Sequence, residues 1–125
     1  MGRSPADTVV AFNEAINARD LDRLVALMTP GHRFVDAAGG VVEGRDAGRE
    51  AWRSFFESFP DYRNVFTAVA VRSPSEVVAL GHSECTVEAL RGPARWHAVV
   101  AGDLVDEWRV EDAPVDADEE ATDRA

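Results

Sequence analysis

Up to Phe59 the apolar residues recur mostly at helical spacing, and after Pro60 they alternate. Val9, Phe12, Ala15 and Ile16 mark one face of a helix that Ser4 or Asp7 can cap and that runs to about Ala18. Asp20 opens a second, short helix, DLDRLVALM, with Leu21, Leu24, Val25 and Met28 as its stripe and Pro30-Gly31 as its stop. His32 to Asp36 reads as a strand, Ala37 to Gly40 as a tight turn and Val41 to Glu43 as the return strand, because paired glycines supply the positive φ that a hairpin needs. Gly44 breaks the chain, and Asp46 can cap a third helix reaching Phe59, with Ala51 or Trp52, Phe55, Phe56 and Phe59 on its apolar face. Beyond Pro60, period-two runs at 64–72, 76–90, 96–101 and 104–110 are joined by short Ser/Pro/Gly connections. Short links between long strands predict an antiparallel meander, and helices followed by strands predict an α+β fold.

Composition narrows the use of that fold. The 125 residues suffice for one domain, placed at 1–111, with a disordered acidic tail at 112–125 that carries six acidic residues and one Arg. A net charge of −10 excludes a phosphate-tracking nucleic-acid surface and an anionic membrane patch. No run is long and apolar enough for a membrane span or a signal peptide, so the expectation is a soluble, cytoplasmic protein. Cys85 is the only cysteine, which precludes an intramolecular disulfide and favours a buried structural thiol.

Four phrases in order carry a family resemblance: NARDLDRLVAL, FVDAAGG followed by EGRDAGREAWRSFF, the long strands, and the closing AGDLVDEWRVED. The chain resembles the SnoaL-like and ketosteroid isomerase-like branch of the nuclear transport factor 2-like superfamily over roughly residues 6 to 112. That resemblance implies a cone-shaped α+β barrel, with three N-terminal helices packed on a curved, mostly antiparallel sheet around an apolar cavity. It also implies a homodimer formed through the open sheet face, for which Val69, Val71, Val87 and Val99 are the candidate apolar surface.

Asp36 holds the place where ketosteroid isomerases carry their aspartate base, and a carboxylate at the mouth of an apolar cavity suits proton transfer beside a carbonyl. Its other reading is a turn aspartate that accepts a backbone N–H near Ala38 or Gly39. The donors of that family are not reproduced, since Phe12 and Trp96 occupy their positions, and the Asp-Arg-Asp set of limonene epoxide hydrolase is replaced by His82 and Glu84 with Val110. A polyketide cyclase of the SnoaL type needs one acid/base group in an apolar pocket, which Asp36 or the His82/Glu84 pair can supply. His82 and Glu84 share one strand face, but apolar residues of both parities around them leave that face unassigned. If Asp36 faces the cavity, alternation also sends Phe34 and His32 inward, and Leu104, Asp106, Trp108 and Val110 share a side of the last strand. His32, beside Pro30-Gly31, is expected as an exposed turn residue, and Trp96 rather than His97 points inside.

Catalysis is thus expected at Asp36, His82 and Glu84, and ligand contact at Phe12, Phe34, Trp52, Phe56, Trp96 and Trp108. No metal-ligand spacing, phosphate loop or nucleotide fingerprint occurs, so neither metal nor cofactor is expected. The function expected is binding of a small apolar organic molecule, with acid–base turnover of it through Asp36. The alternative is a noncatalytic, dimeric ligand-binding or accessory domain.

Overall fold

The structure is a computed structural model and describes residues 4–112. Its elements run α1 (Pro5–Ala18), α2 (Leu21–Ala26), β1 (Met28–Val35), β2 (Val41–Glu43), α3 (Arg45–Ser58), β3 (Arg63–Ser73), β4 (Glu76–Glu84), a 3₁₀ turn (Glu88–Leu90), β5 (Gly92–Ala101) and β6 (Leu104–Asp112). The six strands form one curved, unclosed sheet in the order β2-β1-β6-β5-β4-β3. All its pairings are antiparallel except β1 with β6, which run parallel. The expected α+β arrangement is present, as is the β3 to β6 meander.

Local chemistry explains the boundaries. Ser4, not Asp7, caps α1, its Oγ accepting the Asp7 N–H at 3.1 Å, with Pro5 at the first helical position. Asp20 caps α2 by accepting from the Arg23 N–H at 3.2 Å. Helix α2 stops two residues short of Met28, which instead opens β1 opposite Val105. Pro30-Gly31 therefore interrupts a strand rather than ending a helix, and the β1–β6 register shifts between Met28 and Arg33, where a residue without an N–H is tolerated. Gly44, at φ 98°, is the cap position of α3 and offers no side-chain bond, while Asp46 lies in the first turn, where a negative charge favours the helix dipole. Strand β4 ends at Glu84, well before the expected Leu90. Asp61 draws the chain off the sheet there by accepting the Thr86 N–H at 2.8 Å and the Cys85 thiol at 3.4 Å.

Helix α1 lies across the concave face of the sheet and supplies Val9, Phe12, Ala15 and Ile16 to a core shared with Trp96, Trp108, Met28 and Leu24. Alternation puts Val77, Ala79 and Ser83 of β4 and Ala94, Trp96 and Ala98 of β5 on that face, and His82, Glu84, Arg95 and His97 on the outer one. On β6 a register shift opposite Val99 and Val100 changes the expected parity. Val105, not Asp106, joins Trp108 inside, and Asp106 accepts instead from Thr29 Oγ1 at 2.6 Å.

His32 corrects another expectation, being wholly buried under α1 rather than exposed. Its ring sits 5.6 Å from that of Phe12, and its Nδ1 donates to the Val105 carbonyl at 2.8 Å. The valines expected to build a dimer surface do not share a face either. Val99 lies on the outer face, Val69 and Val71 pair with Ala79 and Val77 on the other, and Val87 is in the loop after β4. The expected tail lies, beyond Asp112, outside the described residues.

Candidate functional site

Between α3 and the open end of the concave face is a cavity of about 260 Å³. Phe34 from β1, Trp108 and Val110 from β6, Trp96 from β5 and Trp52 and Phe55 from α3 form its apolar wall. The register requires this convergence, because Phe34 is paired with Trp108 and Trp96 with Val110, so all four project to one side. Trp52 meets Phe34 edge-on at 5.3 Å and Phe55 edge-on at 5.7 Å, closing the helix side. The indole N–H groups of Trp52, Trp96 and Trp108 are buried and bond to no described residue. The rings thus offer the cavity carbon surface.

One end of the cavity is polar. Tyr62, Asn64 and Ser83 line it, and the Tyr62 and Ser83 hydroxyls stand 3.1 Å apart. Ser83 Oγ donates to Asn64 Oδ1 at 3.3 Å, and Asn64 Nδ2 donates to Asn13 Oδ1 at 3.1 Å. Asn13 Nδ2 and Asn17 Nδ2 in turn donate to the Asn64 carbonyl at 3.3 and 2.8 Å, while Asn17 Oδ1 takes the Asn64 N–H at 2.8 Å. Two asparagines one turn apart on α1 thereby clamp the start of β3, and the Arg19 guanidinium adds a bond to the Tyr62 carbonyl. Burial pushes the Tyr62 hydroxyl's pKa above its ordinary value, against the lowering effect of its bond to Ser83 and with a smaller push from Cys85.

The rim carries the charges. Asp36, Arg91 and Glu111 border the opening, with Glu111 held by Arg95 at 3.3 Å. Asp36 is exposed, and its Oδ1 accepts the N–H groups of Ala38 at 2.9 Å and Gly40 at 2.8 Å. It is therefore both a turn former and a rim residue. A Cβ on Gly40 would meet Asp36 Oδ2 at 2.7 Å, so the glycine lets the carboxylate fold over the turn.

Of the residues expected at the ligand, Phe34, Trp52, Trp96 and Trp108 line the cavity. Phe56 does not; its ring packs against Trp52 at 5.7 Å, and Phe55, three residues from Trp52, takes the wall position. Phe12 stands behind Trp108 at 4.6 Å, fully buried in the core. His82 and Glu84, joined at 3.1 Å, are 42% and 53% exposed on the outer face, beside an open depression with Thr67 and Gly81. The structure brings neither of them to Asp36. The polar end escaped the sequence reading, although Asn13 and Asn17 at i, i+4 beside an apolar stripe are a visible signal of a buried amide pair.

A family model described as a SnoaL-like domain matches residues 9–115. No curated protein matches the chain. Among solved structures, a proposed SnoaL-like polyketide cyclase from Jannaschia sp. CCS1 is similar at 22% identity and a TM-score of 0.74, over 87% of this chain and 85% of that one. Another from Shewanella putrefaciens CN-32 aligns at 16% identity and 0.76, over 96% of this chain and 87% of that one. An uncharacterized cystatin-fold protein from Novosphingobium aromaticivorans aligns at 22% and 0.75, over 87% and 98%. Identities this low speak for the fold alone.

Proposed function

Since the chain belongs to the SnoaL-like domain family, we propose that its cavity binds a small, largely apolar organic molecule and that Asp36 serves as the acid/base group for proton transfer on it. The observation that carries this reading is the cavity itself: an aromatic wall, one polar end and, on the rim, the Asp36 carboxylate folded over its own turn. Its volume of about 260 Å³ lies under the roughly 300–1,000 Å³ usual for sites of drug-sized ligands, which points to a molecule of one or two rings. The apolar wall can hold a ligand's rings so that its reacting carbon meets the carboxylate on the rim. His82 and Glu84, on the opposite side of the sheet, have no part in this mechanism.

The test is a panel of small cyclic ketones and enols, with binding and proton exchange beside the carbonyl followed by NMR in deuterated water. Binding with exchange that Asp36→Asn abolishes supports the enzyme reading. Binding without exchange supports the second reading, a noncatalytic ligand-binding domain, which the existing engagement of Asp36 in its turn favours. We also propose a homodimer through the outer sheet face, which carries Leu80, 42% exposed, and, farther along the strands, Val99. Sedimentation at micromolar concentration decides that point, a monomer removing it.

A further inference from the structure

The hydrogen bonds at the polar end of the cavity have a fixed direction, and it can be traced from the backbone outward. The Asn64 carbonyl can only accept, so the Asn13 side chain must turn its NH₂ toward it and its Oδ1 toward Asn64. Asn64 must then present Nδ2 to Asn13, which leaves Oδ1 to Ser83. An amide oxygen can only accept, and a serine hydroxyl has one hydrogen, so that hydrogen is committed to Asn64. The proton in the 3.1 Å bond between Tyr62 and Ser83 consequently comes from Tyr62. Its hydroxyl hydrogen is turned into the wall, and what the phenol has left to offer is its lone pairs.

We propose that this end of the cavity selects a ligand bearing a hydrogen-bond donor, a hydroxyl on a frame of one or two rings, with the Tyr62 phenol oxygen as acceptor. The inference rests on the cavity being the binding site. Burial, which keeps the phenol protonated at neutral pH, preserves the direction of the chain. The rim offers no net positive charge to a carboxylate-bearing ligand, since Asp36 stands there against Arg91 and Glu111 is held by Arg95. The indole N–H groups, sealed in the wall, do not compete as donors to a carbonyl oxygen.

Three bicyclic probes of similar size test this by calorimetry or equilibrium dialysis: 2-naphthol, which donates; 2-tetralone, which only accepts; and naphthalene, which does neither. The wild-type protein should bind 2-naphthol about five- to tenfold more tightly than 2-tetralone, the worth of one net hydrogen bond. Tyr62→Phe should bring that ratio near one while leaving naphthalene affinity within about twofold. Ser83→Ala frees the Tyr62 hydrogen to swing toward the cavity, and the ratio should fall to one or invert in favour of 2-tetralone. A wild-type ratio of one or less, or a preference that survives Tyr62→Phe, overturns the donor inference and leaves the cavity as the binding site. Failure of all three probes to bind removes the binding site and the inference together. If Ser83→Ala does not fold, the wild-type ratio and Tyr62→Phe still decide.

Discussion

Gly81 lies directly against the backbone of Val65 on the neighbouring strand: a Cβ built there would stand 2.9 Å from the Val65 carbonyl carbon and closer still to its oxygen. The cause is the register shift between Phe66 and Ala68, which lets β3 bend in toward β4 just where Tyr62, Asn64 and Ser83 form the polar end of the cavity.

Gly81→Ala should therefore destabilise the protein by at least the ~1–3 kcal/mol typical of overpacking, because the obstacle is backbone that cannot rotate away. Urea denaturation measures it, and a loss under about 0.5 kcal/mol would show that the strands separate freely at this point.

His32 makes stability depend on pH. Burial holds its pKa below 6.5, outweighing the raising effects of the Val105 carbonyl, Asp106 and Glu107. The folded state thus binds its proton less readily than the unfolded state, so stability is full above about pH 6.5 and falls as the pH drops below it, with a slope approaching ~1.4 kcal/mol per pH unit for this one group. Urea midpoints between pH 5 and 8 should show the fall, and His32→Gln, although less stable overall, should show a shallower one.

Asp36→Asn should abolish turnover, since an amide cannot take the transferred proton, while the turn survives because the amide oxygen still accepts from Ala38 and Gly40. Stability should change by less than about 0.5 kcal/mol. Asp36→Ala, which loses both turn bonds, should cost roughly 1 kcal/mol more. Retained turnover in Asp36→Asn would place the base elsewhere.

His82→Gln and Glu84→Gln should leave ligand affinity and turnover unchanged, because both side chains sit outside the cavity on the solvated face. Their ion pair is too exposed to matter much to stability, and each variant should unfold within about 0.5 kcal/mol of the wild type. A loss of turnover in either would indicate a second site on the outer face.

Helical periodicity and turn chemistry made most elements legible in the sequence, down to the Asp20 cap and the Ala37 to Gly40 turn. What eluded it was long-range. Nothing local announces that Met28 will pair with Val105, so Pro30-Gly31 read as a helix stop. Nothing near Glu84 shows that Asp61 will pull the chain off the sheet. Parity on β4 was ambiguous because apolar residues lie on both faces there, Val77 and Ala79 under α1 and Val78 on the outer face. At the cavity, aromatic residues at the right spacing were readable as a group, but the choice of Phe55 over Phe56 depends on the rotation of α3 against Phe34. The polar end depends on two asparagines from α1 meeting one from β3, a tertiary coincidence of residues 47 to 51 positions apart.

The chain contains three tryptophans, and all three stand in the wall of the cavity. The molecule's indole fluorescence therefore originates at this one place, in buried indoles whose N–H groups no described residue bonds. Emission colour and intensity become a label-free gauge of what fills the space, and an occupant carried through purification would already show in the spectrum of the untreated protein.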